Sequence, residues 1–411
     1  MNILHVIGGD LSGGAARGAY WLHQGLLAHG VDSHVLTSSK ETYGDKTVTT
    51  VSADKKGRLA TIIRAQLDAG LLRMYRNRQR VIFSTGLLGY DFSRTKIYKQ
   101  ADIVHLHWIC GGMVNMGHLA KMKKPMIWTM RDMWPMTGGC HYSMECMGYT
   151  SGCGSCPQLR STRQKDLSRL VFWRKKMYLP HNMKLVGISH WLSDCARQSA
   201  LFQDFDVRTI HNNFSSQEFF PIDKSVARQM LGVPANKPVV LAGAQDMKSF
   251  YKGFDIFLQA EQSLDADVML LFFGKLDQTA TDSLKHDFIS LGFLHDTISL
   301  RLAYSAADLF VAPSKMDAFG KTLAEAMACG TPVVCFDATG PREIVDHQVN
   351  GYKAEPFDPR DLSKGIDWVL NYPEPEKLSK AAREKVIREF DSHVAASRYV
   401  QLYEEVLEMQ I

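Results

Sequence analysis

Short apolar runs alternate with helical stretches along the whole chain, and this alternation limits the possible folds most strongly. In the first half the runs are Asn2–Ile7, Ser33–Leu36, Ile103–Trp108, Met126–Thr129 and Leu185–Ile188. In the second half they are Val239–Ala242, Val268–Phe273, Leu309–Ala312 and Val333–Phe336. They are rich in Val, Ile, Leu and Phe and flanked by Gly, Pro or Asp, the pattern of parallel strands covered by helices on both faces. A chain of 411 residues exceeds what one core organises. The sequence therefore predicts an α/β protein of two doubly wound, Rossmann-like domains. The boundary is expected near "DVRTIHNNFSSQEFFP", separating 1–205 from 206–390. The segment 391–411 carries a periodic helix, Ser392–Gln410, expected to pack back onto the first domain. Ligands of such sheets bind beyond the carboxyl ends of the strands, which places the expected site in a cleft between the domains.

The chain is 45% hydrophobic and 22% charged, ordinary for a soluble globular protein. No apolar run approaches the roughly 18 residues of a membrane span. The opening "MNILHVIGGD" lacks the regions of a signal peptide. A cytoplasmic location with reduced cysteines is expected. The net charge of +5 hides an asymmetry: residues 1–200 hold 27 Lys and Arg against 12 Asp and Glu, and residues 201–411 hold 21 against 31. Residues 55–80 have eight basic residues and one acid, with Ile62, Ile63, Leu67, Leu71, Leu72 and Tyr75 at near-helical spacing. Residues 160–184 repeat the bias, with Phe172 and Trp173. A basic amphipathic helix suits peripheral docking on an anionic inner leaflet; the same pattern also fits a helix whose apolar side is core.

Two stretches follow strands and carry candidate chemistry. After the first strand, Gly8, Gly9, Gly13 and Gly14 form a Gly-rich turn into a helix, where free N–H groups favour phosphate. It is neither a dinucleotide fingerprint nor a P-loop, and it fits a plain strand–helix turn equally well. The second stretch, residues 308–345, reads "DLFVAPSKMDAFGKTLAEAMACGTPVVCFDATGPREIV". A strand ending at Ala312 leads to a loop with Asp317, Gly320 and Lys321, then a helix from about Thr322 to Cys329. Asp317 and Glu325 could accept hydrogen bonds from sugar hydroxyls, while the loop–helix amides face a diphosphate. Thr322 and Glu325 also match a capping box, in which Glu325 only closes the helix start.

Cys140, Cys146, Cys153 and Cys156 follow one another as C-x5-C-x6-C-x2-C in an insertion spanning about 137–160. Four thiolates in a Gly-rich loop suit a closed, structural zinc site, with His141 as a possible substitute ligand; four packed reduced thiols are the alternative. His105 and His107, at a strand end, are read as pointing to opposite faces, so that at most one enters the cleft.

"PSKMDAFGKTLAEAMACGTPVV" resembles the E-x7-E signature of the retaining nucleotide-sugar glycosyltransferases of family four, which have the GT-B fold. "ISHWLSDCARQ", "TIHNNFSSQEFFP", "YKGFDIFLQA" and "LGFLHDTISLRLAYSAADLFVAPS" resemble the neighbouring motifs in order. "HLHW", "IWTMRDMWPMTGGCHY" and the cysteines after it narrow the resemblance to a bacterial subgroup that assembles surface polysaccharides such as O-antigen, capsule or colanic acid. The resemblance implies a UDP- or GDP-linked sugar as donor, and a glycan or undecaprenyl-diphosphate-linked acceptor at the cytoplasmic face of the inner membrane. It gives Glu325 the donor ribose and Asp317 the hydroxyls of the transferred sugar. Lys252 takes the departing diphosphate, with the amides of Phe319, Gly320, Lys321, Thr322 and Gly340. Gly13 and Gly14 would approach the donor phosphates from the first domain. No D-x-D motif stands out, so no catalytic metal is expected.

Two positions depart from the family pattern. Gly243-Ala244-Gln245 lacks the usual Arg, for which Lys248 could substitute, and Arg131 stands where many relatives have a His that contacts the donor sugar; Arg131 is a candidate catalytic-site residue for a phosphate or an acidic sugar, with a salt bridge near Asp132 as the alternative. These departures leave room for a catalytically silent GT-B scaffold. The basic stretches with a cysteine-bound zinc would suit a nucleic-acid-binding protein, a reading that leaves Asp317 and Glu325 unexplained.

Overall fold

The computed structural model describes residues 1–39, 44–51, 54–276 and 281–409. The chain divides into two compact units, 1–211 with 395–411, and 212–394. No helix among the described residues is long and apolar enough to cross a membrane.

The first unit holds a seven-stranded parallel sheet in the order β3-β2-β1-β4-β5-β6-β7. Its strands are β1 (Asn2–Ile7), β2 (Asp32–Thr37), β3 (Val48–Thr50), β4 (Ile103–Leu106), β5 (Met126–Met130), β6 (Lys184–Gly187) and β7 (Val207–Thr209). The sequence runs located five of these to within a residue or two. The three-residue edges β3 and β7 are too short for periodicity to register. The strand order reverses between β1 and β4, which pair from Ile3 with Ile103 to Val6 with Leu106. The helix Ser392–Glu408 belongs to this unit's core: Tyr399, Leu402 and Tyr403 pack with Ile3, Leu22 and Ile103. The sequence carried this helix on to Gln410, which lies outside the described residues.

The second unit holds a six-stranded parallel sheet in the order β10-β9-β8-β11-β12-β13. Its strands are β8 (Val239–Asp246), β9 (Met269–Lys275), β10 (Phe288–Ser290), β11 (Leu309–Ala312), β12 (Val333–Phe336) and β13 (Gly351–Ala354). Its order reverses between β8 and β11, paired at Leu309 with Val240. Phe257, Leu270 and Phe272 are fully buried in its core. Each contributes roughly 1.5–3 kcal/mol by leaving water. That core fixes the carboxyl ends of β8 and β11 side by side, and the loops that leave them carry the candidate residues.

Candidate active site

Lys252 and Asp317 meet where the second unit's strand order reverses. Lys252 ends a short 3-10 turn, Phe250–Lys252, in the connection after β8. Asp317 lies in the loop after β11. Lys252 Nζ stands 2.7 Å from Asp317 Oδ2, with the side chains 29% and 16% exposed. Gly253 makes the approach possible. Its φ is +67°, and a Cβ there would fall 1.8 Å from the Pro313 carbonyl oxygen. The Lys315 amide donates to the Tyr251 carbonyl (2.8 Å), and Lys315 Nζ pairs with Asp255 (2.7 Å), so the two loops are joined on both sides of the pair.

The other oxygen of Asp317 accepts from the amides of Phe319 (3.2 Å) and Gly320 (3.1 Å). Burial alone would push the Asp317 carboxyl up. The Lys252 ammonium and these two amides outweigh it and hold the group below the usual carboxylate range. The Gly340 amide donates to the Asp317 carbonyl (3.0 Å). A Cβ at Gly340 would lie 2.5 Å from the Ala318 carbonyl oxygen. Thr339, at φ +51°, accepts from the Asp317 amide (3.3 Å). The amides of Phe319, Gly320 and Gly340 thus donate within the loop and shape it around Asp317. The amides of Lys321 and Thr322 fall in the first turn of the helix Lys321–Ala328.

Glu325 is 1% exposed. Its oxygens accept from Lys321 Nζ (2.6 Å) and the Tyr304 hydroxyl (3.1 Å). It is no capping box: the helix begins at Lys321 behind Gly320, whose φ is +98°. Tyr304 is fully buried, and the sequence reading missed it. A buried tyrosine hydroxyl needs a partner, and that requirement was the available signal. Lys248, offered for the absent Arg, is exposed beyond β8, and its amide donates to Asp246 (3.1 Å).

In the first unit, Gly13 caps and Gly14 opens the helix Gly14–Ala28, both exposed, and a Cβ at Gly13 would meet nothing within 4 Å. Arg131 directly follows β5 and is buried; burial brings its guanidinium down to about 10. Arg131 Nη2 approaches His107 Nδ1 at 3.3 Å, and the Oδ2 of the neighbouring Asp132 takes His141 Nδ1 (2.6 Å) and Trp108 Nε1 (3.1 Å).

His105 and His107 do not face opposite ways. Residues two apart on a strand share a face, and their ring centroids are 4.1 Å apart. His5 joins them, its Nδ1 2.8 Å from His107 Nε2. His105 is held by the hydroxyls of Tyr403 (2.6 Å) and Thr129 (2.7 Å). Burial lowers all three imidazoles well below their ordinary value, and the neighbouring rings and Arg131 add to it. All three side chains lie inside the unit as neutral groups, and His105 ties the helix Ser392–Glu408 to the sheet through Tyr403.

Residues 223–385, most of the second unit, match the family model described as glycosyl transferases group 1. This region carries the fold and motifs of that family. The matched region contains Lys252, Asp317, Glu325 and Gly340. Arg131, the glycine turn and the four cysteines lie outside it. A putative colanic acid biosynthesis glycosyl transferase, WcaC of Escherichia coli K12, is 25% identical over 360 residues, covering 84% of this chain and 85% of that protein. Among solved structures, a sucrose-phosphate synthase from Thermosynechococcus elongatus superposes with a TM-score of 0.70 at 19% identity, over 100% of both chains. Anabaena HepE in complex with UDP and glucose superposes with a TM-score of 0.63 at 18% identity, over 98% of this chain and 99% of that one. The chain has the GT-B fold of these structures.

Proposed function

We propose that this glycosyltransferase moves a sugar, with retention of anomeric configuration, from a nucleotide sugar to a saccharide acceptor in bacterial surface-polysaccharide assembly. The bond from the sugar's anomeric carbon to the diphosphate oxygen breaks. A bond to an acceptor hydroxyl oxygen forms, and the hydroxyl proton leaves with the nucleoside diphosphate. The Lys252–Asp317 pair at the β8–β11 reversal carries this reading. Negative charge develops on the departing diphosphate, and a fixed ammonium stabilises it without reorganising at the moment of reaction. Asp317 and Glu325 are assigned to hydroxyls of the sugar and ribose. Asp317 accepts from three protein donors and Glu325 from two, which leaves lone pairs on both carboxylates. The colanic-acid enzyme named above supports the polysaccharide role, and the UDP complex of HepE supports a UDP-linked donor.

The acceptor is proposed to be lipid-linked, and the support comes from the helix Lys55–Asp68 in the first unit. Its apolar row faces outward: Leu59, Ile62, Ile63 and Leu67 are 59%, 54%, 47% and 62% exposed. The inward side is small or polar. Arg64 Nε donates to the Gly112 carbonyl (2.8 Å), and buried Asp68 accepts from the amides of Leu87 (2.7 Å) and Leu88 (2.9 Å). Lys55, Lys56, Arg58, Arg73 and Arg76 are exposed around the row. On the helix Leu167–Tyr178, Leu170, Trp173 and Met177 are exposed, whereas Phe172 is buried. Apolar rows rimmed by lysine and arginine fit an anionic membrane surface.

Donor transfer tests the function. Purified protein is incubated with a panel of UDP- and GDP-sugars and a lipid-diphosphate saccharide, and the product linkage is read by NMR. A product with the donor's anomeric configuration is expected, and an inverted product overturns the retaining assignment.

A further inference from the structure

We propose that Cys140, Cys146, Cys153 and Cys156 bind one zinc ion that staples the 137–160 insertion of the first unit. All four line a single small cavity of about 20 Å³, with Phe83 and Tyr149 also in its lining. All four are free thiols. A volume near that of one water-sized sphere leaves room for one ion and little else.

Backbone N–H groups are aimed at the sulfurs. The Gly138 amide donates to Cys153 Sγ (3.2 Å) and the Gly148 amide to Cys146 Sγ (3.4 Å). The amides of Leu159 and Gln158 also point at the Cys156 sulfur. Amides pointed at sulfur favour the thiolate, the form that ligates metal. The turns that place them are costly. Met144, Cys153, Ser155 and Arg160 have φ of +52°, +56°, +45° and +49°. Such residues cost of order 1–3 kcal/mol each unless their surroundings hold them. The apolar cluster beneath the loop is small, with Leu72, Phe83, Leu159, Leu167 and Val171 at its centre.

A buried cation stands beside the cavity. Lys175 is fully buried, its ammonium donates to the carbonyls of Trp134 and Thr137 (2.9 Å to Thr137), and it lies 3.7 Å from the centroid of the Trp134 ring. Four thiolates around a divalent ion carry two net negative charges, which gives this ammonium a counter-charge. Binding releases four thiol protons, and sulfur-only ligation in a closed tetrahedron favours zinc. His141 is not among the ligands, since Asp132 and Ser84 (2.9 Å) engage its two ring nitrogens. The triad of His5, His105 and His107 also brings ring nitrogens together, but both nitrogens of His105 are hydrogen-bonded and Arg131 adds positive charge.

The test is elemental analysis of the full chain purified without chelator or polyhistidine tag, followed by cobalt exchange. About one zinc per chain is expected. Cobalt exchange should give thiolate-to-cobalt charge transfer and the visible bands of tetrahedral cobalt. Cys153→Ser and Cys156→Ser should lose the metal, and Cys195→Ser should keep it. Zinc near zero, iron in its place, or zinc retained in both loop variants overturns the proposal. If the loop variants do not fold, the cobalt spectrum of the unaltered chain decides, and absence of the charge-transfer band overturns it.

Discussion

Asp317 holds Lys252 with one carboxylate oxygen and the start of the loop–helix junction with the other. The lysine proposed for the leaving group and the acid proposed for the sugar are therefore one structural unit. Replacing Asp317 by Asn should lower the melting temperature at pH 7 by removing a charged hydrogen-bond acceptor, an effect of about 1–3 kcal/mol. The sign with pH follows from the lowered carboxyl. Its contribution is full above the ordinary carboxylate range and is lost as pH falls through the folded value. Calorimetry from pH 7 to pH 3 should show the two proteins converging at the acid end.

Gly253 and Gly232 have nearly the same left-handed φ, +67° and +66°. A Cβ at Gly232 meets nothing within 4 Å, whereas one at Gly253 strikes the Pro313 carbonyl. Gly232→Ala should cost only the backbone strain, roughly 1–2 kcal/mol. Gly253→Ala should cost more and should also weaken donor binding, because the two loops must separate and carry Lys252 from Asp317. Equal thermal shifts and equal donor affinities for the two variants would contradict this.

The outward row on the helix Lys55–Asp68 is expected to be silent in stability and decisive in membrane binding. Changing Leu59, Ile63 and Leu67 together to Ser should leave the melting temperature almost unchanged, since exposed substitutions each stay within about 0.5 kcal/mol. Sedimentation with anionic vesicles should fall sharply in the variant. In the unaltered chain it should weaken with salt, as surface attraction does. Binding that is indifferent to lipid charge and salt would remove the docking assignment.

Acid should unfold the first unit before it reaches the carboxylates. His5, His105 and His107 are lowered well below 6.5, and His23 to about 4, with burial as the main cause. The unfolded chain binds these protons first, so stability is full above pH 6.5 and falls below it. The loss is about 1.4 kcal/mol per pH unit for each imidazole. His23→Gln should flatten the decline in melting temperature between pH 6.5 and pH 4.

The architecture was legible because buried parallel strands such as Val239–Ala242 and Leu309–Ala312 are continuous apolar runs. Edges such as Val48–Thr50 and Phe288–Ser290 are too short to stand out. Asp317 was found from its place after a strand, but its contact with Lys252, 65 positions away, depends on β8 and β11 being neighbours. Periodicity shows spacing without direction. The row Leu59, Ile63 and Leu67 has the spacing of a core helix, and only Arg64 and Asp68 on the inner side turn it outward. The pairing of His105 with His107 was open to direct reading, because strand side chains repeat every two residues.

Nucleoside diphosphate release from a nucleotide sugar, with acceptor present, measures the central claim most directly in the unaltered chain, Lys252→Ala and Asp317→Ala. The unaltered chain should turn over, and each variant should be slower by roughly 100-fold or more while remaining folded. Turnover that survives both substitutions, or an unaltered chain that neither binds nor cleaves any nucleotide sugar, would contradict it.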